Sequence, residues 1–247
     1  MLNKILALLL VIVLLGGCGA GQYAPKMTGL GERWEARRST PGTTLELIEV
    51  ARRIADDGTT LIEYEPRASG QPRGKEYILR GRNTVSEPRE IGRFAYNAEG
   101  RLVSKSSGEP LESHHMLVGQ FQRGLVIMAA LVATDGSAES FASATPFPIE
   151  GRDGPCRLWL EVLSPDGMAF SAHGEGFAPG ELVRMTSHLD GEQMSLPLNA
   201  LADGSLPVQL MFPATVGKGY RASLQARSSN CSPGVEYEWG PPAVKAR

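Results

Sequence analysis

The chain has few of the groups that carry out chemistry. Its 247 residues include three cysteines and four histidines. It contains no Gly-x-Ser-x-Gly elbow, no Gly-rich phosphate loop ending in Lys-Ser/Thr, no His-Glu-x-x-His and no EF-hand loop. These absences remove the commonest hydrolase, nucleotidase, zinc-protease and calcium-loop signatures. No Cys-x-x-Cys occurs either, so the usual ligand spacing of a structural zinc site is missing. No block of Lys or Arg stands out, and 25 basic against 27 acidic residues leave a net charge of −2. Nucleic acid is therefore excluded as the expected partner. Long apolar runs are scarce too: only Ile5 to Leu15 exceeds nine residues.

That run sits in MLNKILALLLVIVLLGGC, behind the positive charge of Lys4 and before the small residues Gly16 and Gly17. A charged start, an apolar stretch and a small-residue exit make a secretory signal. Eleven residues are too few for a membrane-spanning helix, which needs about 20. Leu15-Gly16-Gly17-Cys18 resembles the lipobox of bacterial lipoproteins: a branched apolar residue, two small residues, then cysteine. The resemblance implies cleavage between Gly17 and Cys18. It also implies a diacylglycerol on the Cys18 thiol and an acyl group on the new amino terminus. Two or three acyl chains, at about 0.8 kcal/mol per buried CH₂, hold a protein stably on a bilayer. Gly19 rather than aspartate follows the cysteine, which resembles lipoproteins sent to the outer membrane. The expected mature chain loses one basic residue, Lys4, and keeps 24 basic and 27 acidic residues (24 − 27 = −3). No other cofactor is expected, and the membrane is the first expected partner.

Cys156 and Cys231 remain after export to an oxidising compartment, where an even pair reads as a disulfide. The rival readings, a metal pair or a catalytic thiol, lack the neighbouring ligands that either needs.

Gly and Pro number 29 and 17, punctuation that favours short strands and turns over long helices. Residues 18–43 lack periodicity and read as a lipidated flexible tether; Trp34 among its arginines is an alternative membrane-surface contact. A β-rich domain is expected over 44–148. Its opening, TTLELIEVARRIADDGTTLIEYEPRAS, admits two readings. Leu47, Ile48, Ala51, Ile54 and Ala55 fit a helical face ending at Gly58. Alternatively, two strands flank Asp57-Gly58 as a hairpin, which the Thr, Ile and Tyr of the second limb favour. KEYILRG, REIGRFAYN and GRLVSKS follow as short strands. Leu125 to Val132 reads as a buried strand or two turns of helix, with Asp135-Gly136 after it favouring a hairpin.

The region 151–247 is more regular. Strands are predicted at 157–163, 168–174, 182–188, 194–200, 206–212, 220–226 and 235–239, separated by turns such as Asp166-Gly167, Asp190-Gly191 and Asp203-Gly204. Seven short strands about ten residues apart fit an immunoglobulin-like β-sandwich. Alternation predicts Leu206, Val208, Leu210 and Phe212 facing inward and Pro207, Gln209 and Met211 facing out. GEGFAPGELVRM, LADGSLPVQLMFPA and KGYRASLQA resemble the Ig-like repeats of bacterial envelope and surface proteins, with Gly176 to Glu181 and Asp203-Gly204 in matching places. PFPIEGRDGPC and NCSPGVEYEWG further resemble uncharacterised exported bacterial lipoproteins. The fold class expected is all-β, two tandem Ig-like sandwiches behind a signal peptide and tether.

Candidate chemistry is thin. Glu112-Ser113-His114-His115 invites a metal or base reading, but adjacent strand residues point to opposite faces, and the polar, Pro-containing surroundings suggest a solvated loop. His173 and His188 lie on predicted strands from which they could meet across a sheet, and they read as surface or partly buried structural residues rather than catalytic ones. The Asp-Gly pairs at 57, 135, 153, 166, 190 and 203 read as tight turns rather than calcium loops, which need several converging oxygens. Trp159, Phe170, Phe212 and Trp239 are assigned to the sandwich core or its edge. The expectation is a lipid-anchored, non-catalytic envelope protein contacting another envelope protein or a glycan. Two rivals are a glycan hydrolase with paired carboxylates in a cleft and a carrier with an apolar cavity for a lipid or small ligand.

Overall fold

The computed structural model describes residues 38–119, 121–189, 192–212 and 220–244. The predicted signal segment, Cys18, Trp34 and the Asp190-Gly191 turn lie outside these residues. The described chain is all-β, with every strand pairing antiparallel. In chain order the strands are β1 (Thr44–Ile54), β2 (Thr60–Ser69), β3 (Glu76–Asn83), β4 (Arg89–Tyr96) and β5 (Leu102–Ser104), then β6 (Met116–Gly119), β7 (Ile127–Ala133) and β8 (Glu139–Ala144). The second half holds β9 (Ile149–Asp153), β10 (Cys156–Val162), β11 (Phe170–Glu175) and β12 (Leu182–Leu189), then β13 (Glu192–Asn199), β14 (Gln209–Met211), β15 (Arg221–Arg227) and β16 (Gly234–Glu238). One 3-10 turn, Leu111–Ser113, interrupts them.

A sheet of order β1-β2-β6 packs on one of order β5-β4-β3-β7-β8. Between them lie Leu45, Tyr77, Leu79, Phe94, Leu131 and their neighbours. The ambiguous opening is the hairpin: β1 and β2 pair from Thr44↔Ser69 to Ile54↔Thr60, and Gly58 adopts φ 83° in the turn. Its helical periodicity was misleading because β1 carries a bulge between Glu49 and Ala51, which breaks the period of two. The Leu125–Val132 run is strand β7. It reads as unbroken apolar sequence because it is buried on both faces: Ala129 and Leu131 point into the inter-sheet core, while Met128 and Ala130 pack beside Val132 and Phe141.

The second sandwich stacks the sheet β14-β11-β10-β9 on the sheet β13-β12-β15-β16. All seven predicted strands are present, joined by β9. Leu158, Leu160 and Val162 from β10 meet Val183, Met185, Leu224 and Tyr237 from the opposite sheet. Each such fully buried side chain contributes about 1.5–3 kcal/mol. The Cys156–Cys231 disulfide crosses from the start of β10 to the β15–β16 loop, with the two Cα atoms 6.2 Å apart. At that same end β9 and β16 approach so closely that a Cβ on Gly151 would run into the Gly234 carbonyl.

Two expectations need correcting. The last tether residues are bound into the fold: Thr40 N–H donates to the Glu139 carbonyl at 2.8 Å, and Ser39 Oγ accepts from Phe141 N–H at 3.1 Å. Beyond Leu206, the facing of the 206–212 segment is the reverse of the prediction. Leu206 is buried, but Met211 packs on the core opposite Phe170, while Val208, Leu210 and Phe212 are exposed. The irregular stretch Pro207-Val208 before β14 slips the phase by one residue, and a one-residue slip turns over every side chain that follows.

Candidate functional site

The outward face of the β14-β11-β10-β9 sheet carries a polar and aromatic cluster built around Trp159. Because Leu158, Leu160 and Val162 point inward, alternation turns Arg157, Trp159 and Glu161 outward on β10. The register sets His173 and Glu150 either side of Trp159, Glu175 and Arg152 either side of Arg157, and Ser171 beside Glu161. The Trp159 and His173 rings stack with centroids 5.0 Å apart and planes 11° from parallel. The Arg157 guanidinium lies 4.6 Å from the Trp159 centroid, a cation–π contact.

Charge is matched throughout this face. Arg157 Nε donates to Glu150 Oε2 at 2.7 Å, and Arg157 Nη1 reaches Glu175 Oε1 at 3.4 Å. Trp159 Nε1–H donates to Glu161 Oε1 at 3.3 Å, while His173 Nε2 lies 2.9 Å from Ser171 Oγ and 3.4 Å from Glu161 Oε2. Burial pushes the Glu161 carboxyl up, but hydrogen bonds from His173 and Trp159 and the charge of Arg157 outweigh it and hold the group below its ordinary value. Burial acts the same way on Glu150, and Arg157 with Arg152 again reverses it. Both carboxylates are thus held ionised. Beside this cluster, Leu210 pairs with Ser171 on the edge strand and is 54% exposed, flanked by exposed Val208 and Phe212. The face is therefore a half-buried charged and aromatic centre with an apolar border.

The other candidate residues fall elsewhere. His173 and His188 do not meet: they lie on β11 and β12, in different sheets and on opposite outer surfaces. The expectation failed because strands adjacent in sequence part into two layers here. His114 packs edge-on against Phe94 at 4.9 Å, and exposed His115 contacts Glu63 on β2, so the pair serves two separate neighbours. Asp57, Asp135, Asp166 and Asp203 accept hydrogen bonds from groups of their own turns, such as Thr59 N–H at 2.9 Å and Ser205 N–H at 3.0 Å. The Asp153 carboxylate instead takes the Ser232 N–H at 2.7 Å, tying the β9–β10 turn to the β15–β16 loop. Phe170 and Trp239 are core residues, whereas Trp159 faces outward and Phe212 sits exposed at an edge. The sequence held a signal for Trp159 that was not used: Arg-x-Trp-x-Glu, with leucines at the intervening positions, places the tryptophan on the solvent side of a strand.

No family model matches the chain, and no curated protein matches it. Among solved structures, a tetra-tandem repeat from the extending region of a large adhesion protein aligns at 12% identity with a TM-score of 0.26, over 81% of this chain and 49% of that one. A bacterial ice-binding adhesin described for host cell surface retention aligns at 8% identity with a TM-score of 0.23, over 81% of this chain and 64% of that one. The chain thus spans about half the length of the first and under two thirds of the second.

Proposed function

We propose that this protein is a lipid-anchored component of the bacterial cell envelope, held by Cys18 in the outer membrane, with a non-catalytic adhesive, structural or accessory binding role. The observation that carries the anchoring is the run Leu15-Gly16-Gly17-Cys18 directly after an apolar segment of signal length. The binding role draws on the outward face around Trp159, where polar groups and an apolar border lie together on a rigid sheet. Such a face suits contact with another envelope protein or a glycan. A hydrolase reading would need a carboxylic acid with a raised pKa to protonate the leaving group. Glu150 and Glu161 are pushed the other way.

The test is the intact mass of the protein extracted from membranes, with and without reduction, beside a Cys18→Ser variant. Acyl chains on a chain beginning at Cys18, and release of the variant from the membrane, are the expected results. A native protein with no lipid mass would end the anchoring proposal. Binding is then tested with purified envelope glycan and outer-membrane extract. Arg157→Ala should weaken capture at least tenfold if this face is the contact surface.

A further inference from the structure

Among the described residues strand β13 is paired on one side only, to β12. Other sheet edges among the described residues are short or shielded. β5 and β14 have three residues each and β6 has four. β9 lies against β16, and the residues entering β1 are bonded to β8 through Thr43 Oγ1 and the Glu139 carbonyl at 3.3 Å. β13 has eight residues, and among the described residues no strand lies along its outer edge.

The direction of its free main-chain groups follows from one hydrogen bond. Ala200 N–H donates to the directly opposite Glu181 carbonyl at 2.9 Å, in the register that continues through β12 and β13. Hydrogen-bonded pairs alternate with non-bonded pairs in an antiparallel ladder. Leu182↔Asn199, Arg184↔Pro197, Thr186↔Ser195 and His188↔Gln193 are therefore non-bonded pairs. Pro197 stands where its missing N–H costs the β12 ladder nothing. The N–H groups of Gln193, Ser195 and Asn199 point away from the sheet, together with the carbonyls of those residues and of Pro197.

The side chains repeat the pattern. Met194, Leu196 and Leu198 share the core side with Met185 and Val183. The opposing edge strand β14 is too short to cover them, so Met194 is 67% and Leu196 43% exposed. Of the usual guards against pairing at an open edge, charge is confined to Glu192 at the start of β13, and the one proline, Pro197, removes a single outward donor.

We propose that β13 is a self-association edge, pairing antiparallel with β13 of a second copy about a two-fold axis at Leu196. In that register Leu196 faces its own counterpart, Met194 faces Leu198, Ser195 faces Pro197 and Gln193 faces Asn199. The outward N–H groups of Gln193, Ser195 and Asn199 then meet the carbonyls of Asn199, Pro197 and Gln193, giving six hydrogen bonds across the axis. Centring on Ser195 or Pro197 gives only four from the same residues. The best register thus also places Met-Leu-Leu against Leu-Leu-Met on one face and leaves each Pro197 opposite one Ser195 carbonyl, two gaps across the axis. A two-fold interface of this kind needs one surface to complement itself, and this strand does. The joint is smaller than the roughly 1,600 Å² of a standard interface, so the dimer is a weak one.

The experiment uses the chain from residue 18 onward, carrying Cys18→Ser. Cα atoms of a non-bonded antiparallel pair are about 4.5 Å apart, within disulfide reach. Leu196→Cys should therefore trap a covalent dimer under mild oxidation. Met194→Cys is more exposed, but its counterpart would lie about 13 Å away along the strands, so it should give at least tenfold less dimer. Sedimentation of the Cys18→Ser chain should show a concentration-dependent mass. Ser195→Lys should abolish that dependence with an unchanged circular dichroism spectrum. Equal cross-linking at positions 194 and 196, or a chain that stays monomeric and is not trapped by Leu196→Cys, overturns the proposal and leaves the edge to a foreign strand or to solvent.

Discussion

Breaking the Cys156–Cys231 bridge should destabilise the second sandwich by up to about 4.5 kcal/mol and leave the first nearly untouched. The bridge closes a loop with a sequence separation of 75. In the chain-entropy relation that length corresponds to about 15 cal/mol/K, or about 4.5 kcal/mol at 25 °C. Because denatured chains retain compactness, this is an upper bound. Against a typical domain stability of about 5–15 kcal/mol, the loss leaves a marginal fold. Both sulfurs are buried, with the cysteines 1% and 5% exposed, so Cys156→Ala/Cys231→Ala avoids placing hydroxyl groups in the core. Urea unfolding of the chain from residue 18, carrying Cys18→Ser, can be followed at Trp159 and Trp239, both of which belong to the second sandwich. With a slope of about 1–3 kcal/mol/M, the midpoint should fall by up to about 1.5–4.5 M. Backbone hydrogen exchange on β3 and β7 of the first sandwich should stay protected in the Cys156→Ala/Cys231→Ala variant. A midpoint shift worth less than about 1 kcal/mol would refute the reasoning. It would mean that the tight β9–β16 edge holds the sandwich closed without the bridge. Simultaneous loss of protection in β3 and β7 would refute the separation of the two cores.

Two further outcomes follow from single positions. Burial pushes the Tyr237 hydroxyl up to about 12 from an ordinary 10.0, partly offset by a hydrogen bond with Ser187. The folded state therefore favours the neutral phenol, a contribution fully present below pH 10 and lost as pH rises through 12. That loss is about 2–3 kcal/mol. Tyr237→Phe should flatten the fall in stability between pH 10 and 12, measured by urea midpoints at each pH, and an unchanged slope would count against it. Gly151→Ala should destabilise the second sandwich by about 1–3 kcal/mol, because the new methyl collides with the Gly234 carbonyl where β9 meets β16. Thermal unfolding monitored by tryptophan fluorescence measures this, and a change within error would mean that the two strands part freely.

The sequence by itself settled what depends on local pattern and chain punctuation. Period-two alternation and Asp-Gly or Pro-Gly turns were enough to find every strand from Cys156 onward, because these signals act over a few residues. The pairing of Cys156 with Cys231 was likewise legible from their even number once residues 1–17 are read as a signal and Cys18 as the lipid site. Where the signal depended on partners distant in the chain, it ran out. Whether Thr44 to Ile54 was helix or strand turned on a bulge and on the mate supplied by β2. The facing of Met211 and Leu210 turned on the register with β11, which one irregular step before β14 reset. His173 and His188 sit on neighbouring stretches of sequence, yet sheet topology sent them to opposite surfaces. Trp159 gained its stack with His173 and its contact with Arg157 only once β10 lay beside β11. The exposure of Met194 and Leu196 was equally out of reach, since alternation gives the side a residue faces but not how far the opposite sheet extends. Side-chain direction is a property of the strand; what lies in that direction is decided by the packing of one sheet on another.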